Sequence, residues 1–131
     1  MAKPVIKSAK PARATAAPRA GSGGKSLSEA ALVMIAGRFR ALSEPLRLRL
    51  LNKLMEGEFT VGQLVEVAGT GQANVSKHLA VLKDAGMIST RREGLSTWCS
   101  IADPSVFQLC EIMCARLKAD HEARSRHLEG V

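Results

Sequence analysis

Two sets of residues in this 131-residue sequence have types and spacings that could do chemistry. The first lies in the run Gly71-Gln72-Ala73-Asn74-Val75-Ser76-Lys77-His78-Leu79. If Val75, Leu79 and Leu82 face a core at helical spacing, Gln72, Asn74, Ser76, Lys77 and His78 fall outside that stripe. Those side chains suit the major groove of a DNA duplex. Gln and Asn pair with adenine edges, Lys with guanine or phosphate and Ser with either, while a helix N-terminus favours phosphate. The plainer alternative is the wet face of an ordinary helix. The second set is Cys110 and Cys114, four residues apart and so on one face of a helix. Their Cβ atoms would lie about 6 Å apart, against the roughly 3.8 Å of a disulfide, so they do not bridge within an intact helix. Three uses stay open: binding a soft ion such as arsenite or cadmium with a third thiol from Cys99 or a partner subunit, cross-linking subunits, or taking up persulfide or oxidant. The alternative is that both pack as small apolar groups. Cys99, beside Trp98, reads as structural. These residues fix no cofactor or metal; thiolate-bound arsenite is the candidate.

The elements that must position these residues follow from periodicity and punctuation. Leu32, Val33, Ile35, Ala36, Phe39 and Leu42 recur at helical spacing and predict a first helix over about 28–42. Ser43-Glu44-Pro45 breaks the chain and starts a second helix carrying Leu46, Leu50, Leu51 and Leu54, which Gly57 ends. Thr60 with Gln63 is a capping-box pattern that opens a short helix through Val61, Leu64, Val65 and Val67, closed by Gly69. After Gly69-Thr70-Gly71 the helix bearing Gln72 to Leu82 runs to Gly86, so two helices are joined by about three glycine-containing residues, as in a helix-turn-helix. Ile88–Arg92 and Thr97–Ile101 bracket Glu93-Gly94-Leu95-Ser96 as a hairpin, a wing that places Arg91 and Arg92 near its turn. There they would grip the DNA backbone or minor groove, or else blunt a strand edge. Asp103-Pro104-Ser105 starts a last helix through Val106, Leu109, Cys110, Met113, Cys114 and Leu117 that is expected to fray after His121. The fold class is mainly α with a small β-hairpin, a winged helix-turn-helix in the order α-α-α-α-β-β-α.

Length allows one compact domain, expected over residues 27–121, with a basic tail over 1–26 and a C-terminal tail over 122–131. Nineteen Lys and Arg against twelve Asp and Glu give +7, the balance of a nucleic-acid binder. Six of those cations, Lys3, Lys7, Lys10, Arg13, Arg19 and Lys25, lie in the Pro- and Ala-rich first 26 residues, which hold no acid. That tail reads as disordered, either an arm that tracks phosphates or a solubilising tail. The rest of the chain carries thirteen bases and twelve acids, so its DNA affinity must come from where the bases sit. No apolar run long enough for a membrane span and no secretory leader is present, so a cytoplasmic protein with no membrane partner is expected. Three cysteines, an odd number, argue against a disulfide framework.

The runs Ala41-Leu42-Ser43-Glu44-Pro45-Leu46-Arg47-Leu48-Arg49-Leu50-Leu51, Gly57-Glu58-Phe59-Thr60-Val61, Val75-Ser76-Lys77-His78-Leu79, Ala85-Gly86-Met87-Ile88 and Arg91-Arg92-Glu93-Gly94 resemble the arsenic-repressor (ArsR/SmtB) family over about residues 28–117. The resemblance implies a homodimer formed by the first and last helices, a recognition helix over about 71–85, and a repressor released from its operator by an inducer or oxidant. Metal-sensing members carry a Cys-x-Cys pair where this chain has Thr60-Val61-Gly62, so that site is absent. The family's zinc-type ligands are represented only by Asp120, His121, His127 and Glu129 near the chain end, where no zinc site is expected. The first thiol of the sulfide-sensing members has no counterpart in Leu50–Met55, and the wing has Leu95 and Ser96 where basic or aromatic residues are common.

The reading is thus a dimeric regulator of a double-stranded DNA operator, sensing through Cys110, Cys114 and Cys99, and not an enzyme. The alternatives are the same DNA-binding role without cysteine sensing, a small thiol redox protein, or a protein-binding winged helix. A thiol enzyme would need a neighbouring base and a helix N-terminus, and neither Cys110 nor Cys114 has a His four residues away.

Overall fold

The computed structural model describes residues 25–129; the basic tail expected over 1–26 lies almost wholly outside them. Five helices and three strands follow in the order α1 (Glu29–Leu42), α2 (Pro45–Leu54), β1 (Phe59–Thr60), α3 (Val61–Ala68), α4 (Gln72–Asp84), β2 (Ile88–Glu93), β3 (Ser96–Ile101) and α5 (Ser105–Glu129). The first turns of α1 start at Ser28, whose Oγ accepts from Ala31 N at 3.1 Å. They carry Leu32, Val33, Met34 and Ile35, all exposed.

From Ala36 onward the core is built as the periodicity requires. Leu50, Leu51 and Leu54 of α2 meet Leu64 and Ala68 of α3 and Val75, Leu79 and Leu82 of α4, all buried. Met87, Ile88 and Cys99 from the sheet and Val106 from α5 complete it. Several expected apolar positions differ: Val67 is exposed and Ala68 takes its place inside, Leu42, Leu46, Val61 and Val65 are only half-buried, and Phe39, Leu109, Met113 and Leu117 are exposed.

Local chemistry sets the helix ends. Thr60 Oγ1 accepts from Gln63 N at 3.1 Å, and Gln63 Oε1 accepts from Thr60 N at 2.9 Å, so the capping box is closed. Gly69 ends α3 at φ +72°, a left-handed conformation that suits glycine. Arg49 donates to the carbonyl of Ala68, the last residue of α3, at 3.2 Å, satisfying an orphan acceptor of that helix.

The hairpin carries a third strand that sequence reading missed. The order is β1-β3-β2, all antiparallel, with Phe59 opposite Cys99 and Thr60 opposite Trp98. Pairing of β2 with β3 continues to Glu93 opposite Ser96, leaving only Gly94-Leu95 at the tip, and Gly94 at φ +63° supplies the positive φ of a two-residue hairpin. The last helix also departs from expectation. It does not stop near His121 but continues to Glu129, so residues 122–129 are helix and not a tail. Nothing between Ala119 and Glu129 breaks a helix, and Arg116 pairs with Asp120 at 3.0 Å along its side.

Leu82 of α4 is fully enclosed in the core. Leu82→Ala should lower unfolding free energy by about 3 kcal/mol, read from urea titration at fixed protein concentration; a loss below about 1 kcal/mol would mean that the core is not packed around it.

Candidate nucleic-acid interface

Helix α4 divides its circumference by residue type. At about 100° per residue, Val75, Leu79 and Leu82 form the buried arc. Gln72, Ser76 and Lys83 lie on one flank of it, and Lys77 and Asn74 lie on the face turned away from the core; all five are exposed. His78 falls on the opposite flank and is half-buried. Gly71 caps α4 with no side-chain bond, so the first amides of the helix stay available to an acceptor. Asn74 donates weakly to Thr70 Oγ1 at 3.4 Å.

The wing stands beside the Gln72 flank. Alternation along β2 puts Thr90 and Arg92 on one face and Ser89, Arg91 and Glu93 on the other. A groove of about 550 Å³ runs between α4 and the first face. Its walls include Gln72, Ser76 and Lys83 on one side and Thr90, Arg92 and Thr97 on the other, and no Asp or Glu lines it. Among the described residues neither Lys83 nor Arg92 forms an ion pair; Arg92 makes only a long 3.4 Å bond to Thr97 Oγ1. Two unneutralised cations with several hydroxyls around an acid-free groove make an electropositive channel, the arrangement that phosphate oxygens require. Lys83 was not among the residues singled out from sequence. Its spacing of seven from Ser76 and eleven from Gln72 was the available signal, because those intervals return to one helix face.

Two of the sequence candidates are engaged by the protein itself. Arg91 donates to Glu58 from Nε at 3.1 Å and Nη2 at 2.8 Å, and pairs with Glu93 at 3.2 Å. It also lies 5.4 Å from the Trp98 ring centroid. These bonds hold its pKa above the usual guanidinium value, and the Arg91 hydrogen bond holds the Glu58 carboxyl below its usual range. A guanidinium facing two carboxylates braces the wing against the segment before α3. Arg92, expected to contact DNA along with Arg91, lies one residue on and lines the groove on the α4 side. His78 is turned to Arg47, whose Nη1 lies 2.9 Å from its Nδ1.

The thiols separate as well. Cys99 is enclosed, and burial pushes its thiol up, with Lys83 opposing weakly. Cys110 and Cys114 are exposed on α5. Among the described residues no three of His, Cys, Asp and Glu converge on a metal position, so Cys99 does not join Cys110 and Cys114 within one protomer. The same holds for Asp120, His121, His127 and Glu129.

The model of the bacterial regulatory proteins of the arsR family matches residues 44–90, from the start of α2 to β2. A probable mercury resistance operon repressor of Streptomyces lividans is 46% identical over 86 residues, 65% of this chain and 67% of that protein. The crystal structure of Mycobacterium tuberculosis Rv0081 superposes with a TM-score of 0.65 at 33% identity, covering 74% of this chain and 98% of the other. This chain belongs to the arsR family. The homodimeric winged helix-turn-helix DNA-binding domain of Mb0332 from Mycobacterium bovis, solved in solution, agrees at a TM-score of 0.60 and 31% identity over 76% of this chain and 92% of that one. The winged helix-turn-helix fold expected from sequence is thereby shown. The family consists of transcriptional regulators and not enzymes. No described helix is long and apolar enough to cross a membrane.

The electrostatics of the scaffold give one test. Asp103 caps α5 by accepting from Ser105 Oγ at 2.5 Å and Ser105 N at 3.0 Å, and it pairs with Arg38 at 2.7 Å; these bonds lower its pKa. Glu58 and Asp103 thus both titrate lower when folded, so their contribution is complete above the unfolded carboxylate pKa and disappears as pH falls through the folded values. Stability should be level from neutral to about pH 5 and fall below the ordinary carboxylate range. The double variant Glu58→Gln, Asp103→Asn should flatten that acid limb in thermal melts; an unchanged limb would remove both groups from the account.

Proposed function

We propose that this chain is a transcriptional repressor that binds its operator as a homodimer and lets go when thiols on α5 react. The observation that carries the DNA-binding part is the acid-free groove between α4 and the wing, with Lys83 and Arg92 in no ion pair among the described residues and Gln72, Asn74, Ser76 and Lys77 exposed beside it. Gln72, Asn74 and Ser76 read base edges; Lys77, Lys83 and Arg92 neutralise phosphates, and the uncapped α4 N-terminus adds amide donors. Arg91 and His78 serve as braces.

Leu109, Ile112, Met113 and Leu117 support the dimer, because they leave an apolar stripe on α5 exposed in the single chain, 41% to 66% open. Mb0332, a homodimer, has the same fold. Two copies related by a dyad would place their recognition helices about 34 Å apart, one turn of duplex. The relative from Streptomyces is named as a repressor of a mercury resistance operon.

Cys110 and Cys114 lie within the same stretch of α5 as this stripe. A soft metalloid or metal ion held by their thiolates, with thiols of the second subunit or alone, or a persulfide or oxidant, would change the seam that spaces the two recognition helices. A second reading, that both thiols only fill the seam, is favoured by their apolar neighbours Leu109 and Met113.

Lys77→Ala should weaken binding, in anisotropy titrations, to a duplex recovered from a random pool by selection on the wild-type protein. The salt slope should flatten by about one unit if Lys77 meets phosphate. Unchanged affinity would remove Lys77 from the interface. Replacing Cys110 and Cys114 together by Ser should leave that affinity intact and abolish release by arsenite or persulfide; a double variant that still lets go assigns the thiols to packing.

A further inference from the structure

Arg47 occupies the third position of α2, half-buried, and takes part in no ion pair among the described residues. Its donors are instead divided among two backbone carbonyls and an imidazole. Nε donates to the Ala41 carbonyl at 2.6 Å, Nη2 to the Arg40 carbonyl at 3.2 Å, and Nη1 to His78 Nδ1 at 2.9 Å. The two carbonyls belong to the last turn of α1, where peptide oxygens lack helical partners and the helix dipole is negative, which is what holds an unpaired guanidinium there.

The third bond determines the chemistry of His78. A guanidinium has five donors and no acceptor, so Nδ1 must carry the lone pair. Of the side chains on α4, His78 stands on the flank of the core stripe opposite the wing.

Burial of Val75, Leu79 and Leu82 fixes which arc of α4 faces the core, but the hydrophobic effect itself is not directional and sets that arc more coarsely than a hydrogen bond does. A hydrogen bond is directional. With side-chain tips about 5–6 Å from the helix axis, a rotation of about 10° moves a tip by roughly 1 Å, more than a base-edge hydrogen bond tolerates.

We propose that Arg47 and His78 are a positioning pair that sets the rotation of the recognition helix, tying it to the last turn of α1, so that Gln72, Asn74 and Ser76 meet base edges together. The proposal rests on the DNA-binding reading above. It gives His78 a role distinct from touching DNA, and it explains why a half-buried cation at Arg47 has carbonyl and imidazole partners in place of a carboxylate.

The test uses the full-length protein, the selected duplex and a scrambled duplex of equal length and composition, with thermal melts run on each variant. His78→Ala should reduce the ratio of affinities, selected over scrambled, about tenfold, while binding to the scrambled duplex and the salt slope stay as in wild type. Reduced folding alone would lower both affinities together. In His78→Asn, Oδ1 stands the same number of bonds from the backbone as Nδ1 and can accept from Arg47, so most of the ratio should return. Arg47→Lys, which keeps the charge but cannot fork to three acceptors, should behave like His78→Ala; if it does not fold, the two His78 variants decide alone. An unchanged ratio in His78→Ala overturns the pair. So does failure of His78→Asn with recovery in His78→Gln, whose amide nitrogen would replace Nε2 in a direct DNA contact. A wild-type protein that discriminates no duplex overturns the DNA-binding reading, and the pair with it.

Discussion

Everything on the DNA-facing side depends on burying one arc of α4. Val75, Leu79 and Leu82 are enclosed by α2 and α3, and a helix pinned along that line can offer only the remainder of its surface. The capping box at Thr60, the left-handed Gly69 and the uncapped Gly71 deliver α4 into that position over a three-residue turn. Core burial supplies the adhesion; polar bonds around its margin supply the orientation. Arg47 does so on one flank, and the wing stands on the other.

The wing shows how two adjacent arginines acquire different work from strand alternation alone. Arg91 and Arg92 are chemically alike, yet the pleat sends Arg91 toward Glu58, Glu93 and Trp98 and Arg92 toward the groove beside α4. The first stiffens the hairpin against the chain before α3. The second forms no ion pair among the described residues and faces the groove. Because the chain beyond residue 26 has nearly equal numbers of bases and acids, this sorting of paired from unpaired cations, and not net charge, makes one edge electropositive.

Features governed by neighbours in sequence could be read directly: the Thr60–Gln63 cap, the Gly69-Thr70-Gly71 turn, the Gly94 hairpin and the core stripe of α4 all follow from local chemistry. What escaped depends on residues far apart along the chain. Strand β1 has only two residues and exists because Phe59 and Thr60 find Cys99 and Trp98. Arg91 and His78 carried the right residue types for DNA, but Glu58, 33 positions away, and Arg47, 31 positions away, engage them. Lys83 is different: its spacing from Gln72 and Ser76 was legible, but only the hairpin lying against that flank turns the spacing into a groove. The extent of α5 to Glu129 escaped because its apolar stripe ends at Leu117, although no helix breaker stands between there and Glu129.

The central claim is that α4 and the wing form one continuous duplex-binding edge. Amide hydrogen exchange, followed by mass spectrometry with and without the selected duplex, reads this directly. The account requires protection concentrated in the first turns of α4 and in β2 and β3 around Arg92 to Thr97, with the tip of the hairpin included. Protection confined to α5, or spread evenly over all elements, would contradict it.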